Sequence, residues 1–130
     1  MVEKSEEVTA ADAAGDEKWD CEIRVYNRGD KPISRVIVEC TNSEWSHDIQ
    51  AQTVAAGGLV GTLLVAYDKS TKKNKWSVVF YRDNQRYHAS VSCSLDERDN
   101  FKSGSLIISS YNMTVSPPVS SICQTSIVKG

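Results

Sequence analysis

The sequence lacks the features that mark a membrane-spanning chain or a secretory leader. No apolar run approaches the roughly 20 residues that a transmembrane helix needs, so we predict no transmembrane segment. No apolar core follows Met1, so we predict no signal peptide. Either the protein is not secreted by that route, or this is a mature or recombinant form. The compartment stays open, with an extracellular location favoured over a cytoplasmic one.

The motifs of common enzyme classes are missing as well. There is no H-E-x-x-H, no G-x-S-x-G and no phosphate-binding loop, since Gly57, Gly58 and Gly61 lack the Lys-Ser/Thr that would follow. A pair of Cys93 with His88 would lie on opposite faces of one strand, so we expect no direct activation of the thiol. We therefore predict no enzymatic activity, no cofactor and no metal.

The net charge is small, and the charged residues are unevenly distributed along the chain. The 130 residues carry a net charge of −2, and residues 1–18 alone carry two lysines against six acidic residues. A nearly neutral body argues against a nucleic-acid partner, which requires many phosphate contacts. Residues 1–18 also have few large apolar side chains, which predicts a flexible acidic tail. Residues 19–130 are predicted to form one domain.

Four cysteines are present, and none forms a C-x-x-C pair, so a zinc knuckle or a thioredoxin-type motif is not expected. They are Cys21, Cys40, Cys93 and Cys123. An even number permits two disulfides but also fits buried thiols. Folding the first two predicted strands about a turn at residues 27–32 brings Cys21 opposite or nearly opposite Cys40. That pair is therefore the first candidate for a disulfide.

What the chain does contain is a strong two-residue period. Around a polar break at residues 82–85, Trp76, Val78 and Phe80 alternate with polar or smaller residues, and Tyr87, Ala89, Val91 and Cys93 do the same. This pattern predicts a β-hairpin with one buried face. Residues 59–67 are a nearly continuous apolar run, which predicts a central strand buried on both faces. About eight strands, short breaks and no convincing helix predict an antiparallel β-sandwich.

Exposed aromatic rings and a basic loop are the candidate binding residues. Trp45 follows a turn, and Tyr26 and Tyr81 share the outward parity of their strands. Such rings stack on sugars or sit at a lipid interface. Lysine side chains in the basic loop are placed to approach anionic head groups. The candidate lysines are Lys69, Lys72 and Lys73.

Several segments taken together resemble the aegerolysins, small β-sandwich proteins that bind membrane lipids. Trp19 with the strand CEIRVYN is similar to that family's opening strand. DIQAQTVAAGGLV is similar to its loop and strand with a Gly-containing turn, and KSGSL to its Gly-led final strand. The tryptophan- and cysteine-bearing segment of that family has no clear match here, and the cysteines fall elsewhere. The resemblance covers about residues 19–111 and implies a lipid-recognising component that needs a larger partner to form pores.

Two functions from different classes follow. The first is a non-enzymatic recognition module that binds a membrane lipid or a glycan. The second is a protein–protein interaction domain, such as an effector or inhibitor, whose flat sheet is the interface.

Overall fold

The predicted all-β sandwich is confirmed by the computed structural model, which describes residues 21–43, 45–65 and 73–130. The predicted tail at residues 1–18 lies outside this part. The described residues form ten strands rather than about eight, with one 3₁₀ turn at Glu97–Asp99. The strands are β1 Cys21–Asn27, β2 Ile33–Thr41, β3 Ser46–Val54, β4 Leu59–Val65, β5 Lys73–Arg82, β6 Gln85–Ser94, β7 Ser103–Ile108, β8 Asn112–Ser116, β9 Cys123–Ser126 and β10 Val128–Lys129.

Two five-stranded sheets pack face to face. The first has the order β4-β1-β7-β8-β9 and the second the order β10-β6-β5-β2-β3. Neighbouring strands are antiparallel except β1 and β7, which run parallel. The inward side chains of both sheets form one apolar core, as the alternation of buried and exposed positions requires.

The predicted hairpin is β5 and β6. Its two-residue turn, Asp83-Asn84, has positive φ at both positions (53° and 63°), the conformation that matches the twist of the flanking strands. Trp76 and Phe80 are 0% exposed, and the Trp76 indole donates to the Cys93 carbonyl oxygen at 3.1 Å. Of the seven side chains on the predicted buried face, five are buried, while Tyr87 and Val91 are half-buried against the core.

The prediction that β1 and β2 pair as a hairpin is wrong, because β1 belongs to the first sheet and β2 to the second. The turn at residues 28–32 therefore crosses between layers. Cys21 and Cys40 are both buried thiols, so the predicted Cys21–Cys40 disulfide is wrong as well. Desolvation by burial raises the pKa of the Cys40 thiol far above its ordinary value, which keeps it protonated.

The disulfide of this domain joins Cys93 to Cys123, with a Cα–Cα distance of 5.7 Å. Cys93 lies on β6 of the second sheet and Cys123 on β9 of the first, so the bond ties the layers together at one edge. The sequence did not reveal this pair because the two strands are not neighbours in either sheet.

The prediction that residues 59–67 form a central strand buried on both faces is wrong for the described portion. β4 lies at the edge of the first sheet and pairs with β1. Leu59 at its start is 52% exposed, whereas Leu63 and Val65 are buried. The apolar residues of β4 instead pack toward β3. The two strands approach closely at Gly61, where an added Cβ atom would lie 2.9 Å from the Ile49 side chain.

Loops cluster at two ends of the sandwich. We call one the Tyr111 end and the other the Phe101 end. The Tyr111 end comprises the connections at residues 28–32, 55–58, 83–84 and 109–111. The Phe101 end comprises Trp45 and the connections at residues 95–102 and 117–122.

Candidate binding site

The structure separates the three aromatic residues predicted to form a binding surface. Tyr26 lies on the outer face of the first sheet, with the Arg28 guanidinium carbon 4.6 Å from its ring centroid. Tyr81 lies on the outer face of the second sheet, 5.0 Å from the guanidinium carbon of Arg35. All three aromatic residues are half-buried, and Trp45 lies at the Phe101 end. These rings therefore form no single site.

Trp45 packs partly against the core, and its ring centroid lies 4.7 Å from that of His47. The Asn42 side chain accepts a hydrogen bond from the Trp45 backbone at 3.0 Å, which fixes where the ring emerges. Lys73 is exposed at the start of β5, on the same end of the sandwich. Lys69 and Lys72 lie outside the described residues.

A different set of side chains converges at the Tyr111 end. They surround an open cleft with a volume of about 300 Å³. Its walls come from the crossover between the sheets, the β5–β6 hairpin and the β7–β8 turn. The lining residues are Asp30, Lys31, Arg82, Asp83, Tyr87, Ser110 and Tyr111.

Asn27 positions the crossover loop that supplies one wall. This residue is 1% exposed, and its side-chain amide donates to the carbonyl oxygens of Lys31, Val54 and Ala55 at 2.9–3.2 Å. Its side-chain oxygen accepts from the Gly29 backbone at 3.1 Å. A buried side chain with its hydrogen bonds satisfied holds two loops together, so the wall is rigid at its base.

Arg82 lines the cleft between the β5–β6 hairpin and the β7–β8 turn. Its guanidinium carbon lies 4.4 Å from the ring centroid of Tyr87 and 5.6 Å from that of Phe80. Its Nη2 donates to the carbonyl oxygen of Ser110 at 3.2 Å. Stacking of this kind orients a planar cation, so Arg82 joins the hairpin to the β7–β8 turn in a defined geometry.

Charges of both signs line the cleft. Lys31 Nζ forms an ion pair with Asp83 Oδ2 at 2.7 Å, and the hydrogen bond and charge of Asp83 raise the pKa of Lys31. The hydroxyl of Ser110 donates to Asp30 at 3.4 Å, long for an O–H···O bond. Two aspartates face one lysine and one arginine, so the lining carries no net charge.

Tyr111 stands at the rim with a ring that is 79% exposed. Its backbone is nevertheless held, because its carbonyl oxygen accepts from Ile127 at 2.8 Å. The preceding turn closes through the Ser109 backbone, which donates to the Asn112 carbonyl oxygen at 2.9 Å. An anchored backbone that carries an open ring presents a flat apolar surface beside the polar cleft.

Sequence reasoning missed this site, because it assigned these residues to other roles. It placed Tyr87 on the buried face of the hairpin and Arg82 in the polar break at residues 82–85, so neither was considered as a binding residue. The turn-prone stretch Ser109-Ser110-Tyr111-Asn112 between two apolar segments is the one signal that pointed to an exposed tyrosine.

His47 and His88 are exposed on separate strands, and Cys93 is held in the disulfide. Among residues 21–43, 45–65 and 73–130, no three His, Cys, Asp or Glu side chains gather to hold a metal ion. No helix within this described part of the chain has the length and apolar character to cross a membrane.

No family model matches the chain, and no curated protein does.

Proposed function

We propose that the protein is a non-enzymatic recognition module that binds a glycan in the cleft at the Tyr111 end. The observation that carries this proposal is the 79% exposed ring of Tyr111 beside a cleft lined by charged and hydroxyl groups. Small-ligand pockets span roughly 300–1,000 Å³, so a cleft of about 300 Å³ suits a single sugar ring.

Sugar rings need two kinds of contact, and the cleft supplies both. The C–H face of a sugar is apolar and packs on an aromatic ring, which Tyr111 offers with little loss of conformational freedom. Sugar hydroxyl groups donate and accept hydrogen bonds, which the carboxylates and the guanidinium of the lining can satisfy. Recognition of this kind breaks no covalent bond and needs no catalytic group.

A membrane lipid is the second candidate, and a separate observation at the opposite end supports it. Phe101 is 75% exposed and has a φ of 62°, a conformation that is rare for a bulky residue. Lys102 follows it, and Trp45 and Lys73 lie on the same end. Aromatic rings with nearby lysines are typical of residues at a lipid interface.

The two exposed rings provide a matched test. We expect Tyr111→Ala to weaken binding on a glycan array about tenfold, the loss expected when an aromatic contact with the ligand is removed. Phe101→Ala removes a comparable ring from the other end and should leave glycan binding unchanged. The lipid candidate predicts the opposite result in co-sedimentation with liposomes of varied composition. There Phe101→Ala should weaken binding, and Tyr111→Ala should leave it unchanged.

Three further variants test the separated aromatic residues directly. Trp45→Ala, Tyr26→Ala and Tyr81→Ala should each leave glycan binding within twofold of wild type. Loss of glycan binding in one of these variants, with Tyr111→Ala unaffected, would move the site away from the cleft. If neither glycans nor liposomes bind and a pull-down recovers a protein partner, the interaction-domain alternative replaces both proposals.

A further inference from the structure

We infer that the cleft selects neutral, hydroxyl-rich glycans over their anionic counterparts through Asp30 and Arg82. This inference rests on the proposed function and specifies the ligand class of that same site. Asp30 and Arg82 keep hydrogen-bonding capacity beyond their contacts with Ser110.

Asp83 and Lys31 largely satisfy each other. Their ion pair is 2.7 Å long, within the range of strong charge-assisted bonds. Both side chains are more than half exposed, so they contribute little net field to the cleft. The two remaining charged groups, Asp30 and Arg82, have no ion-pair partner among the described residues.

Ser110 places those two groups side by side. Its carbonyl oxygen accepts from Arg82 at 3.2 Å, and its hydroxyl donates to Asp30 at 3.4 Å. A carboxylate and a guanidinium that bond to the same residue lie on adjacent parts of one wall. This wall therefore offers a strong acceptor next to a strong donor.

The Asp30 contact with the protein is weak enough to be replaced. A typical O–H···O bond is about 2.7–2.8 Å, whereas the Ser110 contact is 3.4 Å. Asp30 Oδ1 is therefore held loosely, and the carboxylate has several lone pairs free. A ligand hydroxyl at a typical O–H···O distance would form a shorter bond to this carboxylate than Ser110 does.

Two neighbouring sugar hydroxyls match this wall. One donates to Asp30, while the other accepts from Arg82, and both remain uncharged. An added carboxylate or sulfate would pair with Arg82 but would also face the unpaired carboxylate of Asp30. Because like charges at short range are costly, such a ligand gains less than a neutral one.

The test compares oligosaccharides that differ only in a terminal sialic acid or sulfate, on an array and by titration calorimetry with the full chain. We expect the neutral member of each pair to bind at least tenfold more tightly. Asp30→Asn should weaken neutral binding about tenfold and should shift the ratio toward the anionic member. Asp48→Asn, an exposed carboxylate on β3, is the matched control and should change neither quantity.

The outcomes separate the two proposals. Equal or tighter binding of the anionic members would overturn this inference and leave glycan recognition intact. An unchanged ratio in Asp30→Asn would also overturn the inference. If neither member of any pair binds, glycan recognition fails and this inference fails with it.

Discussion

Removal of the Cys93–Cys123 disulfide should cost a large part of the domain's stability. The bond closes a loop with a sequence separation of 30, and the chain-entropy relation assigns about 3.6 kcal/mol at 25 °C to such a loop. Small domains have unfolding free energies of about 5–15 kcal/mol. We therefore expect Cys93→Ala/Cys123→Ala to remain folded but to unfold at markedly lower denaturant.

The assay is guanidinium unfolding followed by tryptophan fluorescence, since Trp76 is 0% exposed in the native state. Reductant should lower the midpoint of wild type to that of the double variant and should leave the double variant unchanged. Cys21→Ala/Cys40→Ala is the control, because it keeps the disulfide and should keep the sensitivity to reductant. If sensitivity instead disappears in that control and persists in Cys93→Ala/Cys123→Ala, the assignment of the disulfide is wrong.

Two further variants test how the loops and sheets are held. Burial raises the pKa of Asp99, but hydrogen bonds from the Ser120 hydroxyl and from the backbones of Asp96, Val119 and Ser120 outweigh it and leave the pKa below 3.8. The stabilisation is therefore present above pH 3.8 and is lost as the pH falls through the lowered pKa. Asp99→Asn should lower the free energy of unfolding by about 1.5–3 kcal/mol at neutral pH. The difference from wild type should shrink in acid, and a difference that stays constant with pH would contradict this argument. Gly104→Ala should cost about 1–3 kcal/mol, because the added Cβ would fall against the Ser116 carbonyl oxygen; Gly29→Ala, with ordinary contacts at 3.4 Å or more, is the control, and equal midpoints for the two would refute the steric argument.

The alternation of side chains was sufficient to predict the buried faces of β1 and β2. Cys21, Ile23 and Val25 on β1, and Val36, Val38 and Cys40 on β2, are all buried as their parity requires. The prediction holds because successive side chains point to opposite faces of a strand whichever strand it pairs with. A local break alters it: Arg35, with a φ of 50°, interrupts the register with β5 and puts Ile33 and Val36 on the same buried face.

The pairing of strands was decided by tertiary structure. The turn at residues 27–32 has the composition of a hairpin, yet it connects two sheets, so Cys21 and Cys40 do not pair as a hairpin predicts. Composition specifies that a chain reverses, but packing of the two apolar faces decides which layer the next strand joins. The same packing of the two sheets brings Cys93 and Cys123 together.

The candidate cleft was determined at the tertiary level alone. Asp30, Arg82 and Ser110 are separated by 28 to 80 positions along the chain and share no motif. Asp30 and Ser110 lie in turns and Arg82 is the last residue of β5 before one, and the local sequence there predicts only a change of direction. They converge because three connections of the sandwich end on the same side, and the strand order of the two sheets sets which connections meet.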